Sequence, residues 1–81
     1  MTRRDKLLES ALANAQKVRF AEACQIAVVL GFTHEGGRGS HRVFKRPGEP
    51  IQLNFQNRDG YIPPYQGRQL VAMIEKYGLD Q

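Results

Sequence analysis

The stretch SHRVFKRPGEPIQLNFQ, residues 40–56, contains the clearest strand pattern in the chain. Its second half alternates strictly between apolar and polar residues: Ile51, Leu53 and Phe55 against Gln52, Asn54 and Gln56. Alternation with a period of two is typical of a strand with one buried and one solvated face. The first half predicts a strand over residues 40–46, which Pro47-Gly48 ends. We therefore expect two antiparallel strands with the polar row facing solvent.

A third strand and three helices surround this hairpin in the sequence. Residues 32–35 form a short strand, and Gly36-Gly37 can supply the positive φ angles of a turn. Thr2 to Asp5 resembles a capping box, which predicts a first helix over residues 3–15. A second apolar stripe runs from Phe20 to Leu30, before Gly31.

The last helix is predicted over residues 65–77, closing at Gly78, after a loop over 57–64. The order is then helix, helix, three strands, helix. Because the connections between the strands are short, the sheet is an antiparallel meander with helices on its apolar face. The chain is expected to be one α+β two-layer domain over residues 1–81.

Composition places the chain among soluble globular proteins. Of its 81 residues, 41% are hydrophobic and 25% are charged, which is ordinary for a folded domain. Cys24 is the single cysteine, so an internal disulfide is excluded and a reducing compartment is favoured. We see neither a signal peptide nor an apolar run of about 20 residues, which a bilayer span needs. We expect a cytoplasmic protein without a membrane partner.

The positive charge is concentrated in one segment. Of the 12 Lys and Arg residues, four lie between residues 36 and 46, and eight remain against eight acidic residues elsewhere. The four are Arg38, Arg42, Lys45 and Arg46. A clustered positive patch on a neutral body is typical of a protein that binds a polyanion. The charge count alone fits a solvated charged hairpin equally well.

The triplet Gly39-Ser40-His41 opens the second strand within this basic segment. Gly39 permits close approach of backbone to a ligand, and Ser40 offers a hydroxyl and an amide to a phosphate oxygen. Nearby positive charge disfavours the imidazolium, so His41 would be a neutral base able to deprotonate a ribose 2′-hydroxyl. Strand alternation places Lys45 on the side of His41, and Arg38 lies across the turn. A lone histidine in a strand is, by itself, more often a surface or structural residue.

Other kinds of site have less support. His34 and His41 lie seven positions apart without grouped carboxylates or thiols, so we expect no metal. Cys24 lies on an apolar helix stripe and fits an inert core thiol. We expect no small-molecule cofactor.

The segment from Phe20 to Phe32, followed by Gly39-Ser40-His41 and Phe44, resembles the HicA toxins of bacterial toxin–antitoxin pairs. The closing residues are similar to one branch of that family: Pro64-Tyr65-Gln66, Gln69-Leu70, Ile74-Glu75 and Gly78-Leu79. The resemblance covers residues 18–79, so residues 1–17 form an extra N-terminal helix. It implies a fold like the double-stranded RNA-binding domain, α-β-β-β-α, and puts the family's catalytic histidine on His41. Residues 54–64 depart from the usual exit of the third strand.

The resemblance implies a metal-independent endoribonuclease that cleaves mRNA and is inhibited by a HicB-like antitoxin. His41 would then be the catalytic base, and five neighbours would bind RNA phosphate: Arg38, Gly39, Ser40, Arg42 and Lys45. Lys45 or water would protonate the leaving oxygen. Two alternatives stay open at this point: a non-catalytic RNA-binding module of the same fold, and a basic interaction subunit that meets an acidic protein.

Overall fold

A computed structural model describes residues 2–78 and has the predicted element order. The helices are α1 (Arg3–Ala13), α2 (Phe20–Val29) and α3 (Pro64–Met73), and α3 continues into a π-helical turn, Ile74–Gly78. The strands are β1 (Thr33–Gly36), β2 (His41–Lys45) and β3 (Leu53–Gln56). The α+β class is confirmed. Leu79, the last residue of the family resemblance, lies outside the described residues.

The helix ends follow the local sequence signals. The Asp5 amide donates to Thr2 Oγ1 at 3.1 Å, and the Thr2 amide donates to Asp5 Oδ2 at 3.4 Å, which confirms the capping box. The first helix ends at Ala13, two residues earlier than predicted. Gly31, which follows α2, has a φ of +93° and ends that helix as expected.

The sheet is antiparallel with the strand order β1-β2-β3, so β2 lies in the centre. His41 is paired with Gln56 and Phe44 with Leu53, while β1 carries a bulge between His34 and Gly36. The predicted alternation holds over β3, where Leu53 and Phe55 are buried. One face of the sheet is therefore apolar.

Ile51 was predicted to continue the apolar row of β3 and does not. It precedes the strand and is 49% exposed. Its amide donates to Glu49 Oε2 at 3.1 Å, within the loop between β2 and β3, instead of joining the ladder. Pro50 precedes it and has no amide hydrogen to donate.

The helices cover the apolar face of the sheet and bury a single core. Its largest members are the fully buried side chains Phe32, Phe55, Ile26, Leu53, Leu70 and Ile74. α1 belongs to this core, since Leu8 and Ala11 are 3% and 1% exposed. A Cβ added to Gly67 would lie 1.8 Å from the Ala15 carbonyl oxygen, so only glycine allows α3 to approach the link after α1 this closely. The extra N-terminal helix is thus integral to the domain.

Arg46 and the loop after β2 fasten the sheet to the last helical turn. Arg46 Nε donates to the Leu30 carbonyl at 2.9 Å, and its guanidinium carbon lies 3.8 Å from the centre of the Tyr77 ring. The Glu49 carboxylate accepts hydrogen bonds from Lys76 Nζ and the Tyr77 hydroxyl. These bonds lower the pKa of Glu49 to about 2, and the bond from Lys76 has the largest effect.

Within residues 2–78 no helix has the length and apolar character that a bilayer crossing requires.

Candidate nucleic-acid interface

The turn between β1 and β2 sets the position of His41. The His41 amide donates to the Arg38 carbonyl at 3.1 Å, which closes a four-residue turn. Gly39 is its first central residue and has a φ of +63°, as a type II′ turn requires. A Cβ on Gly37, at a φ of +86°, would lie 2.6 Å from the His41 carbonyl oxygen. The glycines therefore make a tight turn that leaves Gly39, Ser40 and His41 exposed.

His41 lies on the face of the sheet that the helices leave uncovered, which we call the open face. Because side chains alternate along β2, Val43 and Lys45 share this face with His41, while buried Phe44 points to the helices. The cross-strand partner of His41 is Gln56, and paired side chains have Cβ atoms about 4.5–5.5 Å apart. The predicted solvent-facing polar row of β3 is confirmed, with Asn54 exposed and opposite Val43.

Arg58 is a cation of this face that the sequence reasoning missed. Its Nε and Nη2 donate to Gln56 Oε1 at 3.2 and 3.0 Å, which places the guanidinium beside the cross-strand partner of His41. The backbone N–H of Gln56 donates to Oε1 of buried Gln66 at 2.9 Å, so the end of β3 is anchored to α3. The polar residues of β3 recur at every second position, and the next position after Gln56 in this pattern is Arg58. Extending the pattern would therefore have identified Arg58.

Lys45 lies on the open face but not beside His41. Four residue steps along the strand separate the two Cα atoms by roughly 13 Å, given a rise of about 3.3 Å per residue. Its partner in β1 is Thr33, whose hydroxyl donates to Glu35 Oε2 at 2.6 Å. The exposed side chains of Lys45 and His41 therefore lie at opposite ends of β2.

Arg42 is not brought together with His41. As the alternation predicts, it faces the helix side, where its guanidinium carbon lies 5.9 Å from the centre of the Phe20 ring. There it lines an apolar groove of about 480 Å³ with Cys24, His34 and three further residues. The groove and His41 are on opposite faces of the sheet.

The two other titratable side chains that line the groove, His34 and Cys24, both pack against the apolar core. The His34 ring packs against Phe44 with a centroid distance of 5.4 Å. Cys24 is partly buried in the edge of the core, and this burial raises the pKa of its thiol, against the opposing effect of Arg42. A protonated thiol is a poor nucleophile, in line with the inert role expected from the sequence.

The cations around the open face form no ion pair in the described part of the chain. In the part of the chain that the structure describes, the one ion pair within 4 Å joins Lys76 to Glu49. Arg38, Lys45 and Arg58 are exposed and lack such a carboxylate partner within residues 2–78. The open face can therefore present an exposed imidazole with Lys45 and Arg58 to an anionic ligand, and Arg38 is exposed in the adjoining turn.

Across residues 2–78, no three His, Cys, Asp or Glu side chains are grouped in a way that could hold a metal ion. Comparison with known proteins gives no match to a family model, to a curated protein or to a solved structure.

Proposed function

We propose that this chain is a HicA-type toxin, an endoribonuclease that cleaves mRNA without a metal and is held inactive by an acidic, HicB-like partner. One observation carries the proposal: His41 is exposed on a polar face, opposite the glutamine that holds Arg58. This arrangement joins a group that can take a proton to a cation that can bind phosphate. The resemblance of the Gly39-Ser40-His41 segment to the family is the second support.

The proposed reaction needs a base at the ribose and positive charge at the phosphate. Neutral His41 removes the proton of the 2′-hydroxyl, and the resulting oxyanion attacks the adjacent phosphorus. The bond from phosphorus to the 5′-oxygen breaks, which leaves a 2′,3′-cyclic phosphate on one fragment and a 5′-hydroxyl on the other. Arg58 stabilises the charge that develops on the phosphoryl oxygens, as fixed donors do in such transition states.

The neighbours of His41 take separate roles in this scheme. The exposed amide and hydroxyl of Ser40, beside the Gly39 backbone, bind a non-bridging phosphate oxygen, and Arg38 adds charge from the turn. Because Lys45 lies at the other end of β2, we place it at a different phosphate, and in this scheme water protonates the departing 5′-oxygen. Arg42, on the other face, does not contact the same RNA segment.

The decisive experiment replaces His41 with alanine and uses His34→Ala as the matched control. Both histidines are exposed strand residues, but His34 lies on the helix side of the sheet. General acid–base catalysis typically contributes 10²–10⁴-fold, so we expect His41→Ala to lower cleavage by about that factor. RNA affinity and the melting temperature should change little, since exposed substitutions usually stay within about 0.5 kcal/mol. The His34→Ala protein should cleave like the wild type.

Each other outcome selects among the functional classes. A His41→Ala protein that cleaves RNA at the wild-type rate rejects the mechanism. If the wild type binds RNA without cleaving it, the chain is a binding module. If it binds no RNA at any salt concentration but associates with an acidic protein, it is an interaction subunit. Growth arrest on induction without the partner, absent for His41→Ala, tests the toxin role in cells.

A further inference from the structure

Two basic residues that are distant in sequence from the Gly-Ser-His segment lie over one aromatic ring. Lys17 Nζ and the Arg19 guanidinium carbon each lie 5.3 Å from the centre of the Tyr61 ring. Both basic residues are exposed, and Tyr61 is partly buried. We call Lys17, Arg19 and Tyr61 the Tyr61 cluster. Contact with a ring face restrains each cation while leaving it open to solvent.

The backbone holds this cluster in place. The link between α1 and α2 pairs with the loop after β3: the Phe20 amide donates to the Gly60 carbonyl at 2.9 Å, and the Ile62 amide donates to the Val18 carbonyl at 3.0 Å. Val18 and Ile62 are 3% and 2% exposed, so both sides of this pairing are anchored in the core. The cations therefore project from a fixed backbone.

The Tyr61 cluster is continuous with the His41 site. Arg58 and Tyr61 exchange backbone hydrogen bonds of 2.7 and 3.0 Å, and the Asn57 amide donates to the Ser40 carbonyl at 2.8 Å. Arg58, which reaches back to Gln56 beside His41, thus occupies the position between the two sites. Asp59 lies in the same loop, but within residues 2–78 it forms no ion pair with any of these cations.

We propose that the Tyr61 cluster is a second RNA-backbone site, which binds the phosphates of the strand where it leaves His41 and passes Arg58. Fixed, exposed cations that continue from a phosphate site are the electrostatic feature that an extended polyanion recognises. The ligand is single-stranded RNA of several nucleotides. This proposal rests on the proposed function in one respect: it assumes that the same RNA strand occupies the His41 site.

Binding measurements test this site independently of cleavage. The variant is Lys17→Ala/Arg19→Ala, and the matched control is Arg3→Ala/Arg68→Ala, which removes the same charge from exposed positions on α1 and α3. The probe is a fully 2′-O-methylated RNA of about ten nucleotides, titrated at several salt concentrations. Each phosphate contact on a single strand contributes about 0.7 to the slope of log K against log salt, so losing two lowers the slope by about 1.4.

We expect this loss for the Lys17/Arg19 variant and not for the control, and we expect neither variant to bind a dinucleotide differently from the wild type. An unchanged slope, or equal loss in both double variants, overturns the proposal. Loss of affinity for an acidic protein without loss of RNA affinity also overturns it, in favour of a protein contact. If melting shows that the alanine variant is unfolded, Lys17→Gln/Arg19→Gln retains the side-chain stems and gives the same readout.

The outcome is distinguishable from that of the proposed function. A lower slope in the Lys17/Arg19 variant, together with wild-type cleavage by His41→Ala, supports the second RNA site and rejects His41 as the base. A normal slope in the Lys17/Arg19 variant, together with strongly reduced cleavage by His41→Ala, rejects the second RNA site and supports His41 as the base.

Discussion

The two faces of β2 differ although they share one backbone of five residues. On the helix side, Phe44 is buried and Arg42 lies over the Phe20 ring. On the open face, His41 and Lys45 are exposed and have no carboxylate within 4 Å in the described chain. One face packs against the helices and the other presents polar groups to solvent, because successive side chains of a strand point to opposite faces.

A run of positive charge in the sequence therefore does not form one surface of the folded protein. Arg46 donates to the carbonyl of Leu30 and covers the Tyr77 ring, so it acts as an internal fastener. Lys17 and Arg19 belong to a part of the sequence with no net charge, yet they lie against Tyr61, in the loop that also holds Arg58. The basic surface is assembled by the fold from separate segments.

The largest expected contrast is between Phe44→Ala and Val43→Ala. Phe44 is 2% exposed in the core, and truncating a buried phenylalanine typically costs about 3–5 kcal/mol of unfolding free energy. Val43 is only partly buried on the open face, so its truncation should cost about 1 kcal/mol or less. Chemical denaturation of both variants measures the difference. Equal losses would mean that the open face is covered in solution.

A second contrast separates two adjacent cations. Arg46→Ala removes a hydrogen bond to a helix-end carbonyl and a guanidinium stacked on Tyr77, so we expect a loss of about 1–3 kcal/mol. Lys45→Ala should change stability by about 0.5 kcal/mol at most, and should instead weaken RNA binding at low salt. Thermal melting and RNA titration of the two variants test this separation. A stable Arg46→Ala protein with impaired RNA binding would place Arg46 on the ligand side.

The smallest expected effect concerns the proposed acidic partner. A partner that blocks His41 must cover the open face, so Lys45→Glu should slow its association by roughly threefold to tenfold at low salt. Arg42→Glu changes the charge equally but on the other face, and should leave the association rate nearly unchanged. Stopped-flow mixing at two salt concentrations measures both rates. A slower Arg42→Glu variant beside a normal Lys45→Glu variant would move the partner to the groove near Cys24.

Local signals predicted most of the fold. The alternation around Leu53 and Phe55 defined β3, and the reciprocal bonds of Thr2 and Asp5 defined the start of α1. Ile51 fits the same alternation, but the Glu49 side chain captures its amide in a loop contact that no periodicity encodes. Local patterns give the type of an element more reliably than its boundary.

The candidate site was only partly predictable. His41 and its glycine turn are local in sequence, so their grouping could be inferred from the triplet itself. Arg58 depends on the register that pairs His41 with Gln56, and the Tyr61 cluster on a pairing across some 40 residues. Strand register and long-range pairing are set by tertiary packing, which single-residue patterns do not contain. The sequence therefore pointed to His41, Arg38 and Lys45, and it missed Arg58 and the two cations of the Tyr61 cluster.

The close seating of α3 on Ala15, through Gly67, has a consequence for synthesis on the ribosome. The core joins residues from both ends of the described chain: Gly78, in the turn after α3, packs so closely on Leu8 of α1 that an added Cβ would lie 3.4 Å from Leu8 Cδ1. Contacts between early and late parts of a chain form only after the intervening residues have been translated. A nascent chain that stops before α3 leaves the apolar faces of α1 and α2 uncovered, and it lacks Gln66 to hold the end of β3. A message interrupted before that point therefore yields fragments for proteolysis instead of a working copy of the protein.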